Sequence, residues 1–497
     1  MSTISSFPHP SYARRVLAPN FEQTKAYLTP AMFSASRAHI LMLVRQGILD
    51  RETGRSLLEG LQALEAEGVA GVTYDGRYED LFFYMEHRLG ELAGPEAVGN
   101  LQIARSRNDL DGTMCRWVVR ERLLSLLRQI NLLRSRVLAM AHEHIETLMP
   151  GYTHTQPAQP TTLAHYLGAV SSFLERDAAR LQAAFGRVNC CPLGAVAFTT
   201  TGFRIDRAYV ADLMGFGGPV ESSYDAVGGA DYQAEVAGVV QTAAASLSRF
   251  VTDLLFWATQ EAGALYIGDE FVQISSIMPQ KRNPVVLEHV RTQLGYLYAD
   301  AQAVFTLHHN SPLGDVNDVE DPIYRPLFRL LDVAVGVYEL LEAVLAGAVW
   351  NVERLAGRAA DGFTTATELA DTLVREARLP FRAAHRVVGQ LVKEAQRSGR
   401  RPQDITAADV DAAAQATLGR ALGLPDDVVR LALDARHFVA IRDIPGGPAP
   451  KATTAVLDRQ STQLARDQAW QDATALDLSR AQRRLAEAIA QMIGSTL

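Results

Sequence analysis

Between Gly112 and Pro150 the chain runs for 37 residues without a glycine or a proline. A continuous helix over that stretch spans roughly 55 Å at 1.5 Å per residue, so neighbours must be supplied along a long rod. Leu123, Leu127, Ile130, Leu133 or Arg134, Val137, Ala141, Ile145 and Leu148 follow one helical face, while Leu124, Leu126, Leu132 and Leu138 place apolar atoms on others. A helix that is apolar on several sides needs several partners. The same texture recurs from about Gln233 to Gln260, from about Val285 to His308 and from about Tyr324 to Ala348. Alternating β-branched runs with hairpin turns are nearly absent, so the pattern predicts an all-α protein built on a central long-helix bundle. Glycine and proline break the two ends into shorter helical stretches. This suggests three domains: a mostly helical N-terminal one at 1–111, the bundle at 112–357 and a small helical one at 358–497. So much apolar helix surface favours a homo-oligomer in which bundles pack on bundles.

Composition narrows the function. With 48% hydrophobic and 21% charged residues the 497-residue chain reads as an ordinary soluble protein rather than a disordered or fibrous one. Its 56 acidic and 48 basic residues leave a net charge of -8, which offers no basic footprint for nucleic acid or an anionic membrane. Any anionic ligand must therefore be held by a local cluster. The three cysteines, two of them adjacent at Cys190 and Cys191, form neither a disulfide framework nor a zinc pattern and point to the reducing cytoplasm. The N-terminal stretch has no signal-like apolar run, and no run approaches the ~20 apolar residues that cross a bilayer. No glycine-rich dinucleotide loop and no metal-ligand helix motif is present, so no metal and no organic cofactor is expected.

Three polar segments interrupt the helical texture. Ala104-Arg105-Ser106-Arg107-Asn108-Asp109 lies at the start of the long helix, where an Arg fork, an Asn amide and free backbone amides can hold an anion, although SRND is equally a capping sequence. Gly151 to Pro160, reading GYTHTQPAQP, follows the helix as a stiff loop presenting Thr153, His154 and two amides, among them Gln159. Ile274 to Pro284, reading ISSIMPQKRNP, runs into a helix that begins near Val285 and carries Glu288.

The spacing S-S-x-M-P-x-K-x-N-P-x-x-x-E resembles the signature loop of the fumarase/aspartase superfamily, whose members eliminate an amine or water from a succinyl group and release fumarate. The chain is most similar to the argininosuccinate lyase branch, from about residue 79 to about residue 392. The supporting stretches include SRND, GYTHTQPAQP, CPLGAVAFTTTGFRIDR at 191–207 and GFTTATELADTLVREARLPFRAAHRVVGQLV at 362–392. The resemblance implies a three-domain helical fold, a homotetramer with a twenty-helix core, and active sites each built from three subunits. It makes Ser275 the base, with Ser276 beside it. A serine hydroxyl is a weak base and must ionise in an electropositive setting, which Lys281 and loop amides can supply. His154 matches the active-site histidine and Glu288 the carboxylate that pairs with it. Ser106, Arg107, Asn108 and Thr153 match positions that hold succinyl carboxylates, with Lys281 and Asn283 on the signature loop. Gln159, Met278 and Tyr324 complete the expected substrate contacts.

Several recognition positions depart from that branch. Ile274 replaces the glycine before the two serines, Glu79-Asp80-Leu81-Phe82 lacks a histidine of the usual pattern, and Ala230 stands where an arginine is usual. Where the branch has a Tyr, a Gln and a Lys gripping the amino-acid portion of its substrate, the gap-free alignment places Asp315, Glu320 and Ile323, with Tyr324 and Arg325 adjacent. Losing a lysine and gaining carboxylates suits a cationic amine better than an amino-acid carboxylate. The expected substrate is an N-substituted L-aspartate such as ethylenediamine disuccinate. Argininosuccinate and a catalytically idle structural role are the alternatives.

Overall fold

A computed structural model describes residues 7–494 of the chain. Among the described residues, six helices of 24 residues or more carry the architecture: α1 (Arg107–Glu143), α2 (Leu163–Val188), α3 (Asp231–Trp257), α4 (Val285–His308), α5 (Asp321–Ala346) and α6 (Pro450–Ile493). α1 packs on α2, α2 on α3, α3 on α4, α4 on α5, and α5 returns to α1, so the first five close into a ring. Leu123, Leu127, Ile130, Leu133, Val137 and Ala141 of α1 all lie in its core. The protein is thus all-α with a helical-bundle centre, as the periodicity predicts.

The boundaries differ from the sequence reading in instructive ways. α1 starts before Gly112, at Arg107, because Ser106 caps it: the Ser106 side chain and the Asp109 carboxylate form a capping box. Gly112 sits inside the helix, where Pro192 and the Ala226 carbonyl come within 3.6 Å of the point a Cβ would occupy. A helical glycine costs roughly 0.5–1 kcal/mol, too little to end a helix with so much packing. The helix stops at Glu143, short of Pro150, and Leu148 belongs to a strand instead. At the other end, α6 runs for 44 residues, in a region expected to hold only short helices.

Nor does the apolar core divide at residue 111. Residues of the N-terminal helices such as Phe33, Leu57 and Met85 share one continuous core with the bundle, and Leu457, Leu464 and Leu485 of α6 join it. A second core spans Phe363 to Leu433. Among the described residues three two-stranded ribbons decorate the helices: β1 (Leu148–Thr153) with β2 (Gln156–Thr162), β3 (Leu265–Tyr266) with β6 (Val349–Trp350), and β4 (Gln273–Ile274) with β5 (Arg282–Asn283). No helix of the described residues is long and apolar enough to cross a membrane.

Candidate active site

The first polar segment is held by its helix end. The Ser106 Oγ accepts from the Asn108 amide at 3.4 Å and donates to Asn108 Oδ1 at 2.7 Å, while Asp109 Oδ1 takes the Ser106 amide at 2.9 Å. The other Asp109 oxygen accepts from Gly194 N at 2.7 Å and Val196 N at 2.8 Å, which ties the CPLGAVAF stretch to the start of α1. Asn108 Nδ2 reaches the Ala197 carbonyl at 3.5 Å.

Arg107 is half-buried and already engaged. Its guanidinium meets Asp80 at 2.5 Å and Asp111 at 3.4 Å, and lies 5.1 Å from the Phe82 ring centroid. Burial opposes its charge, but Asp111 and Asp80 hold it above its ordinary pKa. Asp80 also caps the helix Leu81–Ala93 by accepting from Phe83 N. Phe82, the residue at the altered position, lies against the same Arg107 guanidinium.

The second segment is a β-hairpin rather than a loop. β1 and β2 pair antiparallel with Thr153 opposite Gln156 and an irregularity between Gly151 and Tyr152. His154 (φ 50°) and Thr155 (φ 62°) form the two-residue turn in the left-handed region. Such turns normally use Asn or Gly, so the hairpin ladder holds two ordinary residues in a conformation that costs each about 1–2 kcal/mol. His154 is thereby displayed at an exposed tip. Gln159 donates to Thr367 Oγ1 at 3.0 Å, resting the hairpin on the C-terminal helical body.

The third segment is the loop 275–281, closed by the β4–β5 ribbon. Arg282 anchors that ribbon by bonding the Ile267 carbonyl at 2.9 Å, pairing with Asp269 and stacking on Tyr266. Inside the loop the Ser275 Oγ accepts from Met278 N at 3.1 Å and from Ile277 N at 3.4 Å, and Lys281 N donates to the Met278 carbonyl at 3.0 Å. Two amide donors aimed at one hydroxyl oxygen favour its ionised form. Ser276, Met278 and Lys281 are exposed, Asn283 sits on β5, and Glu288 is exposed in the first turn of α4.

Among the described residues no hydrogen bond or ion pair joins the 106–108, 153–159 and 275–288 groups to one another. Tyr324 is the expected contact that the fold buries most: only 2% of it is exposed, and its ring stacks on Phe328. Sequence reasoning missed Asp111, one helical turn from Arg107, and Gln233, which lines a cavity of about 30 Å³ beside Asn108 together with Asp315, Glu320 and Tyr324. The i, i+4 spacing of Arg107 and Asp111 carries the first signal. Nothing local carries the second.

Burial raises the Asp111 carboxyl from 3.8 to about 7, against the pull of Arg107, with Asp321, Asp80 and Asp315 adding repulsion. Between those two values the folded protein holds a proton that the unfolded chain has released. This carboxyl's contribution to stability is therefore full below about pH 4, is lost as pH rises to about 7 and stays level above it. Asp111→Asn is expected to make the stability profile shallower across that window only. Denaturation midpoints from pH 4 to 8 check this, and parallel profiles for the two proteins would contradict it.

A ring of long helices that carries this signature loop on a ribbon defines a lyase of the fumarase/aspartase superfamily. The profile of a family described as Lyase matches residues 56–296, and that of the argininosuccinate lyase C-terminal region matches residues 363–440. The chain is 41% identical over 445 residues to argininosuccinate lyase of Methanoculleus marisnigri, covering 89% of each chain. It is 39% identical over 430 residues to that of Methanosarcina mazei, covering 86% of each. A solved structure of an EDDS lyase variant with bound fumarate superposes with a TM-score of 0.88 at 32% identity, over 97% of both chains. The chain belongs to the argininosuccinate lyase family and is a fumarate-releasing carbon–nitrogen lyase.

Proposed function

We propose that the protein splits an N-substituted L-aspartate other than argininosuccinate, an aminopolycarboxylate such as ethylenediamine disuccinate, into fumarate and an amine. The observation that carries the chemistry is the pair of loop amides on the Ser275 oxygen. Ionised Ser275 takes the proton from the carbon next to the succinyl carboxylate, and the electron pair left behind builds a doubly negative aci-carboxylate. Lys281 and Asn283 hold that carboxylate, while Thr153, Ser106, Arg107 and Asn108 hold the other. The pair then forms the carbon–carbon double bond as the carbon–nitrogen bond breaks toward nitrogen. His154, with Glu288 setting its charge, assists protonation of the leaving amine.

The three segments have no bonds to one another within one chain, and His154, Lys281 and Glu288 are exposed. This supports a site assembled from several copies in a homotetramer. α4 also exposes Tyr296, Tyr298 and Phe305, apolar surface suited to packing against other copies. For the substrate, support comes from Asp315 and Glu320 at the altered recognition positions and from the likeness to EDDS lyase. The relatives called argininosuccinate lyase favour argininosuccinate as the second reading.

Fumarate release, followed by ultraviolet absorbance with each substrate in turn, separates them. Turnover of ethylenediamine disuccinate or a related adduct and little of argininosuccinate is expected. Rapid release from argininosuccinate alone would establish the second reading instead.

A further inference from the structure

The loop that carries Ser275 has little of its own to hold it. Among the described residues, the hydrogen bonds of residues 275–281 stay inside the loop: Ile277 N and Met278 N donate to Ser275 Oγ, and Lys281 N donates to the Met278 carbonyl. The loop closes where Ile274 pairs with Arg282, on a ribbon only two residue pairs long. A ribbon that short does not fix a loop by itself.

One side chain supplies the rest. Arg282 directs Nη1 to Asp269 Oδ1 and Nη2 to the Ile267 carbonyl at 2.9 Å, with its central carbon 4.4 Å from the Tyr266 ring centroid. Tyr266 Oη donates to the same Asp269 oxygen at 2.8 Å, so guanidinium, carboxylate and phenol form one cluster. The footing under it is firm: Leu265 and Ile267 are buried, β3 pairs with β6, and Asn351 N donates to the Ala264 carbonyl at 2.9 Å. Among the described residues no other side chain of the ribbon forms a hydrogen bond or ion pair with this footing. Arginine suits all three contacts because its rigid fork presents two donors at once and its face stacks on a ring, whereas a lysine ammonium is a single point charge. The pairing also separates two adjacent cations. Asp269 neutralises Arg282, while Lys281, exposed and without an ion pair among the described residues, stays free for a carboxylate.

We infer that Arg282, held by Asp269 and Tyr266, is a positioning residue for fumarate release: it sets the loop so that Ser275 and Lys281 meet the succinyl group together. Its effect on turnover rests on the reading of Ser275 as the base.

The test compares Arg282→Ala, Arg282→Lys, Asp269→Ala and the double variant Arg282→Ala/Asp269→Ala as purified full-length proteins. Fumarate release from ethylenediamine disuccinate and from argininosuccinate gives kcat and KM, and hydrogen–deuterium exchange over 275–281 reports the loop without any substrate. Arg282→Ala is expected to lower kcat/KM by at least about 10-fold, since an ångström of misplacement costs up to about 100-fold. Exchange in the loop is expected to quicken, and the rise of kcat/KM with pH to move to higher pH as the Ser275 oxygen loses its aligned amides. Arg282→Lys is expected to recover part of each change. Asp269 is largely exposed, so Asp269→Ala removes no packing. It is expected to give smaller shifts in the same directions and to add nothing in the double variant. A fall in kcat alone, with KM, pH profile and loop exchange unmoved, would mean a lost active fraction and overturn the positioning role. Separate losses that multiply in the double variant would overturn the cluster. Loop exchange unchanged in both Arg282→Ala and Asp269→Ala would overturn the tie itself, whether or not either substrate turns over. Wild-type turnover in Ser275→Ala would overturn the base assignment, a failure that quickened loop exchange in Arg282→Ala keeps distinct from failure of the tie.

Discussion

Ser275→Ala is expected to lower kcat for fumarate release by on the order of 10³-fold, within the range that a general base contributes, while the assembly and its helical circular dichroism stay unchanged. The asymmetry follows from the position of the residue. Ser275 sits on a ribbon-borne loop outside the apolar core, so its loss removes no packing. Its oxygen accepts only from Ile277 N and Met278 N, and losing those bonds to a half-buried hydroxyl costs about 1 kcal/mol. Ser276, one residue on, receives neither amide, so Ser276→Ala is expected to retain far more activity. If turnover survives in the first variant and disappears in the second, the base has been assigned to the wrong serine.

Asp467→Ala is expected to destabilise the protein by about 3–5 kcal/mol, the usual result of removing one partner of a buried ion pair. Arg134 on α1 is fully buried, and its Nη1 bonds Asp467 Oδ2 on α6 at 2.5 Å and Asn131 Oδ1 at 3.1 Å. Gln463 and Gln182 donate to the other Asp467 oxygen at 2.9 and 3.3 Å. Taking the carboxylate away strands a guanidinium in the core together with two amides. Chemical denaturation measures the loss. A change below about 1 kcal/mol would mean that Glu175, 3.7 Å from the guanidinium, takes over the charge.

Particular residues separate what was legible in the chain from what was not. The capping box at Ser106 and Asp109 stood in the sequence, yet Gly112 invited a later start. Leu457, Leu464, Leu478 and Leu485 carry a seven-residue spacing that foretells α6, but its otherwise polar face hid a 44-residue helix. The hairpin at His154 had no local signal, because neither His nor Thr favours the left-handed turn that the paired strands impose.

The long apolar helices and the signature loop were determined by sequence alone, because helical periodicity and a closely spaced motif depend on residues near each other along the chain. Which charges meet was decided only by the tertiary structure. Arg134 and Asp467 are 333 positions apart, Arg107 reaches back to Asp80, and Gln233 joins Glu320 around one small cavity. Such partners are chosen by how helices pack in space. Burial then turns that choice into large energies, because an unmatched charge or acceptor away from water is costly.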